Sequence, residues 1–162
     1  MGTPPVTSIR AIEAVDRPWL DTLLREHWGG EPMIVRGVEH RALELPALIA
    51  GDREGVAVYE PGAEHRVPEL LLLHALRQGG GIGTALIAAL VDVLRRAGHD
   101  RLLVTTSNDN LAALRFYQRR GFRLHAIRCG AVDELRARKP TIPLVGFNDI
   151  QLHDEIDLLL TF

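Results

Sequence analysis

Residues Gln78, Gly79, Gly80, Gly81, Ile82, Gly83 and Thr84 form a glycine-rich run between an apolar strand candidate and a long helix candidate. Glycine tolerates positive φ and places no Cβ between the backbone and a ligand. The free N–H groups and dipole at a helix start favour an anion such as a pyrophosphate. A plain strand-to-helix turn would use the same composition, so the run alone leaves both readings open. Two competing phosphate motifs fail on their residues. A P-loop requires a lysine before Ser or Thr, and no lysine lies here. A dinucleotide fingerprint starting at Gly79 or Gly81 would need a third glycine at position 84 or 86, which are Thr84 and Leu86.

Other residues could handle protons. Glu69 opens the strand candidate and is followed by four leucines, surroundings that would raise a carboxyl pKa. It could equally be a solvated strand end. His153, Asp154 and Glu155 precede the last strand candidate and could bind or deprotonate a substrate, or simply be exposed. Tyr117 sits one turn before a helix end, where a tyrosine often serves the core. No histidine pair has metal-ligand spacing, so no metal is expected. Cys129 is the sole cysteine, which excludes an intramolecular disulfide and a Cys-rich zinc motif, and suits a reducing compartment.

These residues need elements to position them. Ile9–Val15 reads as a strand, and Pro18 suits the first turn of a helix carrying Trp19, Leu20, Leu23, Leu24 and His27. Strands are expected at Met33–Val38, Leu45–Ala50 and Val56–Tyr59, with turn chemistry from Gly51 to Gly55. Glu69–Leu76 reads as a central strand buried on both faces. A helix from about Thr84 to Ala97 follows, with an apolar stripe at Leu86, Leu90, Val93 and Leu94. Leu102–Thr106 is a strand. Asn110 suits the N-cap of a helix over Leu111–Arg119, and Phe122–Arg128 and Ile156–Thr161 close the pattern. Residues 130–149 read as a long connection, functional or mobile. The order predicts a mixed α/β sheet with helices on both sides.

The pattern Q-x-x-G-x-G, met by Gln78, Gly81 and Gly83, resembles the acetyl-CoA signature of the GNAT superfamily. A second stretch, Asn110 to Phe122, is similar to that family's N-x-x-A-x-x-F-Y-x-x-x-G-F segment. The two occur in the family's order and cover about Glu69 to Phe122. The resemblance implies one N-acetyltransferase domain over residues 1–162, with a mostly antiparallel sheet of about seven strands. It assigns the pantetheine to the backbone of His74, Ala75 and Leu76. The pyrophosphate falls to Gln78, Gly79, Gly81, Gly83 and Thr84, and a further cofactor contact to Asn110. Tyr117 would protonate the leaving thiolate, and Glu69 matches the position of the carboxylate base in histone-type members. Acetyl transfer would then run directly from acetyl-CoA to a primary amine. A non-catalytic acyl-CoA sensor of the same fold and a protein N-terminal acetyltransferase are alternatives left open.

Composition bounds the partners. The 162 residues include 46% hydrophobic and 25% charged residues with a net charge of −2. That suits one globular domain and offers no global positive field to recruit nucleic acid or an acidic membrane. Glu69, Asp154 and Glu155 lean toward a cationic small-molecule acceptor. Met1–Thr7 lacks the basic start and apolar run of a signal peptide, and the expectation is a cytoplasmic protein. A homodimer is left open.

Overall fold

The computed structural model describes residues 7–63 and 65–162; the expectation for Met1–Thr7 lies almost wholly outside them. Strand β1 is Ile9–Ala11, shorter than expected, because Ala14–Asp16 turns into a 3-10 segment leading to helix α1, Arg17–His27. Pro18 lies in the first turn of α1 as predicted. Met33–Val38 is not one strand. It splits into β2, Met33–Val35, and β3, Val38–His40, which form a separate antiparallel hairpin. Arg36 (φ 54) and Gly37 (φ 74) make its two-residue turn, the left-handed pair that a tight hairpin demands.

The remaining strands are β4, Ala47–Ala50; β5, Gly55–Glu60; β6, Glu69–Ala75; β7, Arg101–Ser107; β8, Arg123–Arg128; and β9, Glu155–Thr161. With β1 they form a seven-stranded sheet in the order β1-β4-β5-β6-β7-β9-β8. Every neighbouring pair is antiparallel except β6 and β7. Helices α2, Ile82–Arg96, and α3, Leu111–Gln118, follow β6 and β7. The connection at 130–149 contains a further helix, α4, Ala131–Arg138. Pro140 and Pro143 lie beyond its end, where they cannot break it.

Two cores lie on opposite sides of the sheet. Leu86, Leu90 and Leu94 of α2 are at most 1% exposed, in a cluster with Leu70, Val104 and Leu158 of the sheet. Each such leucine contributes roughly 1.5–3 kcal/mol by leaving water. On the other side, Leu20, Leu23 and Leu24 of α1 pack with Val56, Val58 and Leu72. Leu70 and Leu72 are two apart yet serve opposite cores. The β5–β6 register explains this: Tyr59 faces Leu70 and Val58 faces Leu72, so Leu71 is the extra residue of a bulge.

Candidate active site

The bulge is followed by a parting of strands. Parallel pairing of β6 with β7 is confined to Glu69–Leu103 and Leu70–Val104. On its other side β6 stays paired with β5 to Ala75. From Leu71 to Ala75 the edge of β6 facing β7 is therefore free of strand partners among the described residues. An extended amide-bearing chain can add there as a strand adds to a sheet edge. His74 and Ala75 lie on this edge. Leu76 is only partly available, because its N–H donates to the Glu54 carbonyl at 2.9 Å.

The free edge runs into the glycine loop. Gly79 (φ 83) and Gly81 (φ 77) are left-handed, and a Cβ built on Gly79, Gly80 or Gly81 would meet nothing within 4 Å. The loop backbone thus faces open space. Gly81 caps α2, and the first helical bond is Ala85 N–H to the Gly81 carbonyl. The amides of Ile82, Gly83 and Thr84 are the ones a helix start leaves without helical acceptors. Gly83 has a second duty: a Cβ there would lie 3.0 Å from the Phe116 ring, so its smallness lets α3 approach the start of α2. Arg120, just after α3, donates to the Thr84 hydroxyl at 2.6 and 2.9 Å and lies 3.5 Å over the Phe116 ring. It places a cation beside the loop, and in the sequence it is one of several arginines with no local mark. Asn110 caps α3, its Oδ1 accepting from the Ala113 N–H at 3.1 Å.

Tyr117 lies on the α2/α3 side, buried between Phe116 and Phe122 with ring centroids 5.3 and 5.2 Å away. Burial raises its pKa, so the phenol holds its proton across ordinary pH.

The opposite side of the same half-sheet is polar. Glu69 pairs with Glu60 in register and faces the α1 side. Thr105 lies 3.2 Å from Glu69 Oε1 and 2.7 Å from Asp157 Oδ1. Arg128 on β8 bonds both Asp157 and Glu155, the latter at 2.7 Å. Arg36 at the hairpin tip reaches within 3.7 Å of Asp157. The hairpin is held over this face by α4 and Lys139: Arg138 pairs with Glu39 at 2.6 Å, and Lys139 donates to the Pro32 carbonyl at 2.8 Å. Burial pushes the Glu69 carboxyl up, against the opposing pull of Arg36 and the Thr105 hydroxyl. Burial also acts upward on Asp157, but the bonds from Arg128 and Thr105 prevail and hold it below the usual range.

The sequence candidates thus separate. Glu69 and Glu155 join one network. His153 and Asp154 instead fasten the start of α4: Asp154 Oδ1 accepts from Gly130 N–H at 2.8 Å, and the His153 ring meets Asp133 at 2.9 Å. His74 turns its ring to the α1 side, where Nδ1 lies 3.4 Å from Trp28 Nε1 and the ring 4.8 Å from that of His27. Thr105, Arg128, Asp157 and Arg36 were not singled out. The usable signal was the alternation Glu155-Ile156-Asp157-Leu158, which marks a strand with one polar face.

Comparison with known proteins agrees with this geometry. Residues 19–122 match the Acetyltransferase (GNAT) family, and the chain belongs to it. It is 31% identical over 147 residues to the uncharacterized protein YxbD of Bacillus subtilis strain 168, covering 90% of this chain and 92% of that protein. An IAA acetyltransferase from Bacillus cereus shares the fold with a TM-score of 0.71 at 22% identity, over 96% of this chain and 99% of that one. A Bacillus subtilis acetyltransferase solved in complex with CoA does so with a TM-score of 0.69 at 20% identity, over the same shares.

Proposed function

We propose that the protein transfers the acetyl group of acetyl-CoA directly to a primary amine, by preference that of a small cationic molecule. The parting of β6 from β7 carries this reading, because it leaves the β6 edge from Leu71 to Ala75 to pair with an extended amide-bearing chain that leads to the glycine loop. The glycine loop, the amides at the start of α2 and Arg120 lie on one side of the sheet, suited to a pyrophosphate. On the other lies Glu69, the carboxylate suited to an ammonium group, next to Asp157 and Glu155, which Arg128 already pairs. The fold of the CoA-bound Bacillus subtilis acetyltransferase is consistent with the cofactor half.

In this reading Gln78, Gly79, Gly81, Gly83 and Thr84 hold the pyrophosphate, largely through backbone N–H groups, and Asn110 makes a further contact with the cofactor. His74 and Ala75, with the carbonyl of Leu76, offer backbone partners to the pantetheine amides. The bound cosubstrate supplies an activated acetyl thioester. Glu69 removes a proton from the acceptor ammonium, so that a lone pair becomes available. As the acceptor nitrogen bonds the acetyl carbon and the C–S bond breaks, Tyr117 gives its proton to the departing sulfur, and the second proton of the nitrogen returns to the phenolate. The test is a panel of amines assayed for acetyl-CoA-dependent release of free coenzyme A. Turnover with at least one cationic amine is expected. Tight acetyl-CoA binding with no turnover on any amine would overturn the catalytic reading.

A further inference from the structure

Thr105 has one hydroxyl proton and stands between two carboxylates. Its oxygen is 2.7 Å from Asp157 Oδ1 and 3.2 Å from Glu69 Oε1. One hydroxyl cannot donate to both. The shorter contact assigns the proton to Asp157, which leaves a hydroxyl lone pair facing Glu69. That approach is favourable only when Glu69 carries a proton and donates it. Once Glu69 is ionised, two lone pairs would oppose each other unless the hydroxyl turns. Asp157 can release it, because Arg128 bonds the same carboxylate and Arg36 lies 3.7 Å away. Asp157 is 2% exposed, and these two cations hold its charge in place of water.

We propose that Thr105 is a positioning residue for Glu69, its hydroxyl serving Asp157 while Glu69 is protonated and turning to Glu69 when Glu69 is ionised. Asp157, fixed by Arg128, is the anchor to which the hydroxyl returns. Thr105 touches no reacting atom. It acts through Glu69 by giving the ionised base a charge-assisted bond, and such bonds are stronger than neutral ones. Its catalytic consequence rests on the reading of Glu69 as the base. Other groups around Glu69 also bear on its charge: Arg36 from the hairpin turn, Asp157 from β9, Arg128 from β8 and Glu60 opposite it on β5. His40 on β3 lies 3.8 Å from Glu60, and Arg66 lies 3.6 Å from it. The variants below leave all of them in place.

The experiment follows the Glu69 side-chain carboxyl by carbon-13 NMR titration of the full chain without ligand. Glu69→Gln identifies the resonance by its loss. Thr105→Val keeps shape and strand preference but removes the hydroxyl; Thr105→Ser restores it. Because Arg128 and Arg36 hold Asp157 in either state, Thr105→Val chiefly removes a neutral bond from protonated Glu69 and a stronger charge-assisted bond from ionised Glu69. The Glu69 midpoint should therefore rise by at least about half a pH unit, roughly threefold in proton affinity, and return toward wild type in Thr105→Ser. An unchanged midpoint in Thr105→Val, or an equal shift in Thr105→Ser, overturns the inference. If Thr105→Val does not fold, Thr105→Ala makes the same comparison. The titration needs no acceptor, so it is decided separately from the amine panel. With an acceptor in hand, the acid limb of kcat/KM should move with the midpoint. A limb that ignores Thr105 overturns the inference while leaving acetyl transfer intact.

Discussion

At the scale of single residues, the proposed acid Tyr117 and the proposed base Glu69 lie on opposite sides of the sheet. Replacing Tyr117 by Phe keeps the ring between Phe116 and Phe122 and removes only the hydroxyl. The expected result is a fall in kcat of about 10²–10⁴-fold, the usual worth of general acid catalysis. Acetyl-CoA affinity should stay within about threefold, or roughly 0.7 kcal/mol. Unchanged kcat in the folded variant would make Tyr117 a core residue. Glu69 must be ionised to act, and burial raises its pKa. The rate should therefore climb with pH along a limb lying above the ordinary glutamate value of about 4.3. Glu69→Gln should abolish that limb and lower kcat by about 10²–10⁴-fold; a surviving limb would place the base elsewhere. A motif marks Tyr117 in the sequence and a strand start marks Glu69. Thr105, Arg128 and Asp157 carry no such mark, since they meet only through strand pairing, Thr105 opposite Asp157 and Arg128 opposite Glu155. Adjacency across a sheet leaves little trace in linear spacing.

At the scale of elements, the glycine loop and the start of α2 show two different reasons for glycine. Gly81 has open space around a Cβ but sits at φ 77, so a side chain there is opposed by the backbone and not by a neighbour. Gly83 has ordinary φ but faces Phe116 at 3.0 Å. Gly81→Val should lower acetyl-CoA affinity at least about tenfold, about 1.4 kcal/mol, because the loop must leave its left-handed turn. Gly83→Val should act first on stability, by about 1–3 kcal/mol of overpacking against α3, read as a lowered midpoint of thermal or urea unfolding. Equal stability losses with no affinity change in either variant would reduce the loop to a turn. The α2 and α3 helices were readable from apolar periodicity and from Asn110 as a cap. The β2–β3 hairpin was not, because Met33 to Val38 is apolar apart from Arg36 and Gly37 and reads as one strand. Arg36 at positive φ occupies a position where Asn or Gly is the usual signal. Helix α4 hid among charged residues, lacking an apolar stripe and burying Val132 alone.

At the scale of the whole molecule, the class of sheet followed from the order of elements. The insertion of β9 between β7 and β8 did not, since nothing local specifies which strand the last one joins. That insertion matters: it carries Asp157 and Glu155 to Thr105 and Arg128, completing the polar network around Glu69. The cofactor side likewise needs the folded chain, because the free β6 edge, the start of α2 and Arg120 come together only when β6, α2 and α3 are packed. Acetyl-CoA should therefore bind the native state and not the unfolded one, and raise the melting temperature by mass action. At 100 times Kd the stabilisation is about 2.7 kcal/mol. For a chain of this size, at about 2–4 °C per kcal/mol, that is a rise of roughly 5–11 °C. ATP and NAD at the same concentration should shift it far less, since neither carries a pantetheine arm to pair with Leu71–Ala75 and the loop matches neither phosphate motif. A flat melting curve with acetyl-CoA up to millimolar levels would sink the cofactor assignment and the reaction built on it. An equal shift from ATP would instead mean that the loop and Arg120 hold phosphates alone, and that the free strand edge takes no part.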